Sequence, residues 1–149
     1  MQQKKIYDQQ AYQQLVDSVK PKPKVLVNVL NAFWVGGSIT ALAQIITLLF
    51  SATGLNPRDA ATATLIVMIF LGAFLTGLGV YDKIGKFAGA GSIIPITGFA
   101  NSIVAPALEF KREGYVFGVG ARLFSIAGPV LVYGFVVSVL IGLIAYFVA

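Results

Sequence analysis

The sequence predicts an all-α integral membrane protein of three to four transmembrane helices, and three observations carry that reading. Hydrophobic residues make up 57% of the chain and charged residues only 11%, against the roughly 25% charged residues usual in soluble domains. Uncharged runs cover 25–57, 60–81, 87–108 and 123–149, each long enough for the roughly 20 residues a helix needs to cross about 30 Å of hydrocarbon. The third run is unlike the others: Gly89, Gly91, Pro95, Gly98 and Pro106 interrupt it, and Ser92, Thr97, Asn101 and Ser102 make it polar. Irregular backbone at membrane depth survives only where it is buried in protein or lines a watery cavity, so 87–108 is expected to be broken or re-entrant and to hold the permeation or binding site.

The chain divides at Lys24 into a cytoplasmic basic and amphipathic segment, 1–24, and a membrane domain, 25–149. Tyr7, Ala11, Tyr12, Leu15, Val16 and Val19 share one half of a helical wheel, which predicts a short amphipathic helix over 6–20, lying on the membrane or on a partner. Pro21 and Pro23 then stop it. No apolar core with a small-residue cleavage site precedes the first span, so that span is expected to direct insertion itself.

The first span is expected from Val29 to Phe50, with Trp34 at the interface. Ala32 with Gly36, and Gly37 with Ala41, offer a stripe for close approach of a second backbone. Gln44 is costly in hydrocarbon and must face a neighbouring helix or a pore. Asn56, Pro57 and Asp59 form a helix start: a capping side chain, proline at the first helical position and an acid near the positive dipole end. The second span then runs from Pro57 to about Tyr81, with Gly72, Ala73, Thr76, Gly77 and Gly79 crowding its second half. The last covers about 123–148, bent at Gly128 and Pro129, with Gly134, Ser138 and Gly142 spaced by four along one face. Gly77, Gly79, Gly89 and Gly91 make only a weak case for a nucleotide loop, since no Gly-x-Gly-x-x-Gly follows a strand and no Gly-Lys-Ser/Thr occurs.

Basic residues orient the chain. Five precede the first span, Arg58 lies in the first connection, Lys83 and Lys86 in the second, Lys111, Arg112 and Arg122 in the third, and none follows the last span. If 87–108 crosses fully, the inside holds seven and the outside four; if it dips in and returns, the counts are ten and one. The charge rule favours three crossings with a re-entrant element. That arrangement gathers Lys83, Lys86, Lys111, Arg112 and Arg122 at one mouth, where they either steer anions or serve as ordinary positive-inside anchors. The net charge of +5 is explained by these anchors without a nucleic-acid partner.

Cysteine and histidine are absent, which removes thiol chemistry, the commonest metal ligand and the usual neutral-pH acid or base. An enzyme would have only Asp82 and Glu109 as an acid/base pair, and a non-enzymatic role is expected. No acidic cluster in the span regions suits a bare calcium ion, which wants six to eight oxygens; neither metal site nor cofactor is expected.

The stretch Gly77-Leu-Gly-Val-Tyr81-Asp-Lys83-Ile-Gly-Lys86-Phe-Ala-Gly89-Ala-Gly91-Ser92-Ile-Ile-Pro95-Ile-Thr97-Gly98-Phe-Ala-Asn101-Ser102 resembles the signature of the stage V sporulation protein AC family, small membrane proteins of endospore-forming bacteria. The related AE membrane subunits share a looser form of it. The similarity extends to the lead Lys20-Pro-Lys-Pro-Lys24, to Phe33, Gly36, Gly37 and Gln44, to Glu109 and Glu113-Gly114, and to the last span. The resemblance implies a multi-pass protein of the inner forespore and spore membrane. It would belong to the SpoVA system, which moves dipicolinic acid, largely as its calcium chelate, into the developing spore and releases it on germination. It further implies a channel-like component with membrane tension as a candidate stimulus, and other SpoVA proteins as partners. It supplies no catalytic residues.

Together these readings describe a homo- or hetero-oligomeric channel or transporter component for a small anionic metabolite, surrounded by membrane lipid. Gly89, Gly91, Ser92, Thr97, Gly98, Asn101 and Gln44 are the candidates for pore or substrate contact, because a helix broken at glycines presents free N–H groups and a positive dipole end to an anion. Small residues serve close packing as well. A non-conducting structural subunit, holding other membrane proteins together through the same small-residue stripes, is the alternative.

Overall fold

The structure is a computed structural model that describes residues 2–19 and 24–148, with side chains from residue 11 onward. Apart from short turns between elements, these residues are helical: α1 (Gln2–Val19), α2 (Val25–Ala52), α3 (Pro57–Gly77), α4 (Tyr81–Ala88), α5 (Ala90–Ile93), α6 (Ile96–Glu109) and α7 (Ala121–Val148). A 3₁₀ turn, Phe110–Glu113, and a π-helical turn, Tyr115–Gly120, join α6 to α7. The predicted stop at Pro21 and Pro23 lies outside the described residues. The amphipathic helix begins earlier than expected, and its Tyr12, Leu15 and Val19 are exposed.

Three helices among the described residues are long and apolar enough to cross a membrane: α2, α3 and the continuous Tyr115–Val148. At 1.5 Å per residue the 28 residues of α2 reach about 42 Å, beyond the roughly 30 Å of a hydrocarbon core. The 14 residues of α6 reach only about 21 Å. Residues 87–108 are therefore broken, as the glycines and prolines predict: the chain turns at Gly89 between α4 and α5, and again at Ile94 and Pro95 before α6.

The start of α3 follows its sequence. Asn56, extended at φ −64° and ψ 158°, accepts a hydrogen bond from the Asp59 N–H at 2.9 Å, and Pro57 opens the first turn. The helix ends at Gly77, short of the expected Tyr81, because Gly79 turns with φ +67° and Tyr81 is drawn into α4. α7 runs unbroken through Gly128 and Pro129.

Packing centres on α3. Ala60, Thr64, Met68, Gly72 and Thr76 are its buried residues, spaced by four so that they form one ridge. Part of this ridge meets α2, where the Thr47 and Thr64 hydroxyls pair at 2.9 Å, and α6 packs along α3 more extensively than any other pair of elements. Neither α2 nor α7 has a fully buried residue; α2 half-buries one face against α3, α4 and α5, and α7 leaves most of its length exposed.

Gly72 sets the α3–α6 spacing: a Cβ there would lie 2.9 Å from Thr97 Cα and 3.1 Å from Ala100 Cβ. Gly77, on the same helix, has nothing within 4 Å of that position. Replacing Gly72 with Ala is expected to destabilise the protein by about 1–3 kcal/mol through overpacking, while Gly77→Ala leaves stability unchanged or raises it by at most about 1 kcal/mol. Thermal unfolding in detergent compares the two, and equal losses would contradict the packing described.

Candidate functional site

The broken element α4–α5–α6 is built by glycine. Gly89 takes φ +52° and ψ −124°, a conformation β-carbon-bearing residues avoid, and this lets α4 end and α5 begin in a new direction. Gly91 then lies directly on α2: a Cβ would overlap the Ala32 carbonyl oxygen and come within 2.7 Å of Ala32 Cα. Ala32 and Gly36 are thus the docking stripe the sequence predicts, whereas Gly37 has no neighbour. Gly98 closes the element on itself, since a side chain there would collide with the carbonyl oxygens of Ser92 and Ile93.

Hydroxyl groups hold the breaks shut. The Tyr81 hydroxyl, on a residue 3% exposed, lies 2.8 Å from the Ser92 carbonyl oxygen and 2.7 Å from Thr97 Oγ1. It joins the start of α4 to the end of α5 and the start of α6. Ser92 Oγ donates back to the Gly89 carbonyl at 3.0 Å. Thr76 Oγ1 lies 2.6 Å from the Gly72 carbonyl and 2.9 Å from Asn101 Oδ1, tying α3 to α6. Every buried side-chain nitrogen and oxygen among the described residues has a partner, as low-dielectric surroundings demand.

Beside this network lies a cavity of about 500 Å³ whose wall includes Asp82, Lys86, Ser92, Gly98, Asn101 and Ser102. It brings together four of the residues singled out in the sequence: Lys86, Ser92, Gly98 and Asn101. Asp82 and Lys86, four apart on α4, put one carboxylate and one ammonium on the same face. Gly89 borders a separate cavity of about 410 Å³ against the start of α2, which Lys86 also lines. Gly91 and Thr97 are buried; the first is used in packing and the second in the Tyr81 network. Gln44 is on the exposed face of α2 and takes no part in this cavity.

The basic residues fall into two groups. Lys83 and Lys86 are carried by α4, which packs on α2, α3 and α5. Lys111 and Arg112 belong to the 3₁₀ turn, and Arg122 sits over the Phe110 ring at 3.7 Å from its centre, a cation–π contact that fixes the start of α7 to that turn. No group of three or more acidic residues suited to a metal ion occurs among the described residues.

Sequence reasoning passed over Tyr81 and Thr76 as anchors and weighed Asp82 only as an enzymatic acid. The usable signal for the first two was a hydroxyl at either end of a glycine-rich stretch, where freed backbone groups need partners.

The chain matches the family described as "SpoVAC/SpoVAEB sporulation membrane protein" over residues 28–144. It is similar to the stage V sporulation protein AC of Bacillus subtilis (strain 168), with 43% identity over 136 residues, 91% of this chain and 91% of the relative. No solved structure matches it.

Tyr81→Phe removes the hydroxyl shared by Ser92 and Thr97, and Thr97→Val removes its partner. In a double-mutant cycle the two changes are expected to be coupled by about 0.6–1.7 kcal/mol, the range for hydrogen bonds between membrane helices. Additive losses in the same unfolding assay would show that the two hydroxyls act independently.

Proposed function

Because the chain belongs to the SpoVAC/SpoVAEB sporulation membrane protein family, we propose that it is a non-enzymatic, oligomeric channel or transporter component. It would carry dipicolinic acid, largely as the calcium chelate, across the inner forespore membrane in sporulation and germination, with membrane tension as a gating stimulus. The observation that carries the reading is the polar cavity formed where the broken element leaves its helical course, between α4, α5 and α6. Such a break is what transporters use to place backbone and small polar groups at an ionic substrate. Its wall suits the proposed cargo in both halves: the Lys86 ammonium and the Asn101 amide N–H groups can meet carboxylate oxygens, and Asp82 offers an oxygen ligand to a chelated hard cation. The calcium arrives held by dipicolinate, so a single protein carboxylate suffices.

A chain with one short broken element encloses no pore by itself, which is why the reading requires an assembly. Two features favour association: the exposed Gln44 amide within α2, and the Gly134, Ser138 and Gly142 face of α7, whose glycines have no neighbour within 4 Å in the chain. The same features favour the second reading, a non-conducting subunit that scaffolds other membrane proteins.

Liposomes containing the purified protein and loaded with dipicolinate or its calcium chelate separate the two readings. Release is expected from protein-containing vesicles, faster under hypo-osmotic swelling and several-fold slower for Lys86→Gln. Neutralising Lys111 and Arg112 to Gln is expected to slow release and flatten its salt dependence, since exposed charges act over a Debye length of about 8 Å at physiological ionic strength. Release no faster than from protein-free vesicles, with the protein correctly inserted, would establish the scaffold reading instead.

A further inference from the structure

A third and larger cavity, about 580 Å³, adjoins the polar one at Tyr81 and is more apolar. Its walls are Ile39 and Leu42 of α2, Leu71 and Leu75 of α3, and Ile84 and Phe87 of α4. The hydroxyls on its lining are already engaged: those of Tyr81 and Thr97 bond to one another, and Ser38 Oγ donates to the Trp34 carbonyl at 2.8 Å, which leaves the indole N–H of Trp34, at the exposed end, as the polar group free to meet a ligand. Apart from that end, nothing in the groove asks for a polar ligand. A cavity of this size and character is the kind that binds an apolar molecule, and apolar cavities do not hold water.

Two of its three walls are α2 and α3, both long and apolar enough to cross a membrane, so a lipid chain is the apolar molecule closest at hand. At one end stand Trp34, 69% exposed, and Phe87, 62% exposed, aromatic residues of the sort that mark the membrane interface. Lys83, exposed, is one helical turn from Phe87 on α4. We infer that the groove between α2, α3 and α4 binds one acyl chain of an acidic phospholipid, with Lys83 at its phosphate. Polar and apolar ends of the site are then matched by one amphipathic molecule. Since the groove shares Tyr81 and Thr97 with the hydroxyl network, its occupant contacts the groups that hold the broken element closed. The site stands whether or not the protein conducts.

Trp34 is the only tryptophan and lines the groove, which makes it a built-in reporter. The purified protein in an unbrominated detergent is titrated with phosphatidylglycerol carrying brominated acyl chains, and Trp34 quenching is followed. Saturation near one lipid per chain is expected. Lys83→Gln is expected to weaken the interaction roughly fivefold, as one lysine near a phosphate contributes, and brominated phosphatidylcholine to bind the wild type correspondingly less tightly. Ser38→Phe, or Leu75→Phe from the opposite wall should the first not fold, fills the groove and is expected to abolish the saturable phase. Quenching that rises linearly and identically in all variants would overturn the site. So would efficient disulfide cross-linking between copies through a cysteine at Leu71 in native membranes, which would show a second copy seated there.

Discussion

A lipid bilayer offers no hydrogen-bond partner to an unpaired backbone group, and this constraint shapes the whole chain. Helices α2, α3 and α7 meet it alone, because each satisfies its own N–H and C=O groups. The stretch from α4 to α6 does not, since Gly89 and Pro95 interrupt the ladder twice within seven residues. Its freed groups are satisfied locally: Ser92 N–H donates to the Gly89 carbonyl at 3.1 Å, Gly98 N–H to the Pro95 carbonyl at 2.8 Å, and the Tyr81 hydroxyl takes the Ser92 carbonyl. Such an element is tolerable at membrane depth only when protein covers it.

The cover is supplied by backbone contact and not by bulky side chains. Gly91 on Ala32, Gly72 on Thr97 and Gly98 on the Ser92 and Ile93 carbonyls bring main chain against main chain, the mode of packing open to membrane helices, for which hydrophobic exclusion gives no drive. The α2–α3 pair therefore acts as a frame, the broken element fills it, and α7 is attached by packing on α6 and by the Phe110–Arg122 contact while exposing most of its surface. Two of the resulting cavities differ in the groups on their walls, one between the breaks carrying Asp82, Lys86 and Asn101 and one between the frame helices walled mainly by aliphatic and aromatic side chains, with Tyr81 lining both. That shared residue is the physical link between the lipid-facing side of the molecule and its polar interior.

Much of this was legible in the residues. Uncharged run lengths located the spans, Asn56-Pro57 located the start of α3, and the glycines and prolines of 87–108 announced the breaks. Ala32 and Gly36 announced the docking face, since four-residue spacing of small residues has a direct geometric meaning. The polar cavity was legible in part: Ser92, Gly98 and Asn101 stood out as polar or small residues in an apolar run. Tyr81 did not, because a tyrosine at the end of a span reads as an interfacial anchor until the turn at Gly79 folds it inward. Counting Lys and Arg per connection assigns residues to a side of the membrane and says nothing of what each touches, so the seat of Arg122 on the Phe110 ring was beyond its reach. Gly77 and Gly37 look like Gly72 and Gly36 in sequence but meet no neighbour; only helix crossing geometry distinguishes them.

The central claim is that the broken element is sealed inside protein where its backbone packs most closely, at Gly91, Ser92, Thr97 and Gly98. Backbone amide hydrogen exchange of the protein in lipid nanodiscs tests it directly, with α3 as the internal standard for sealed backbone and the exposed turn at Thr53 and Gly54 as the standard for open backbone. Protection of the Ser92, Gly98 and Phe99 amides comparable to that of α3 is the predicted result. Exchange as fast as in the Thr53–Gly54 turn would contradict it.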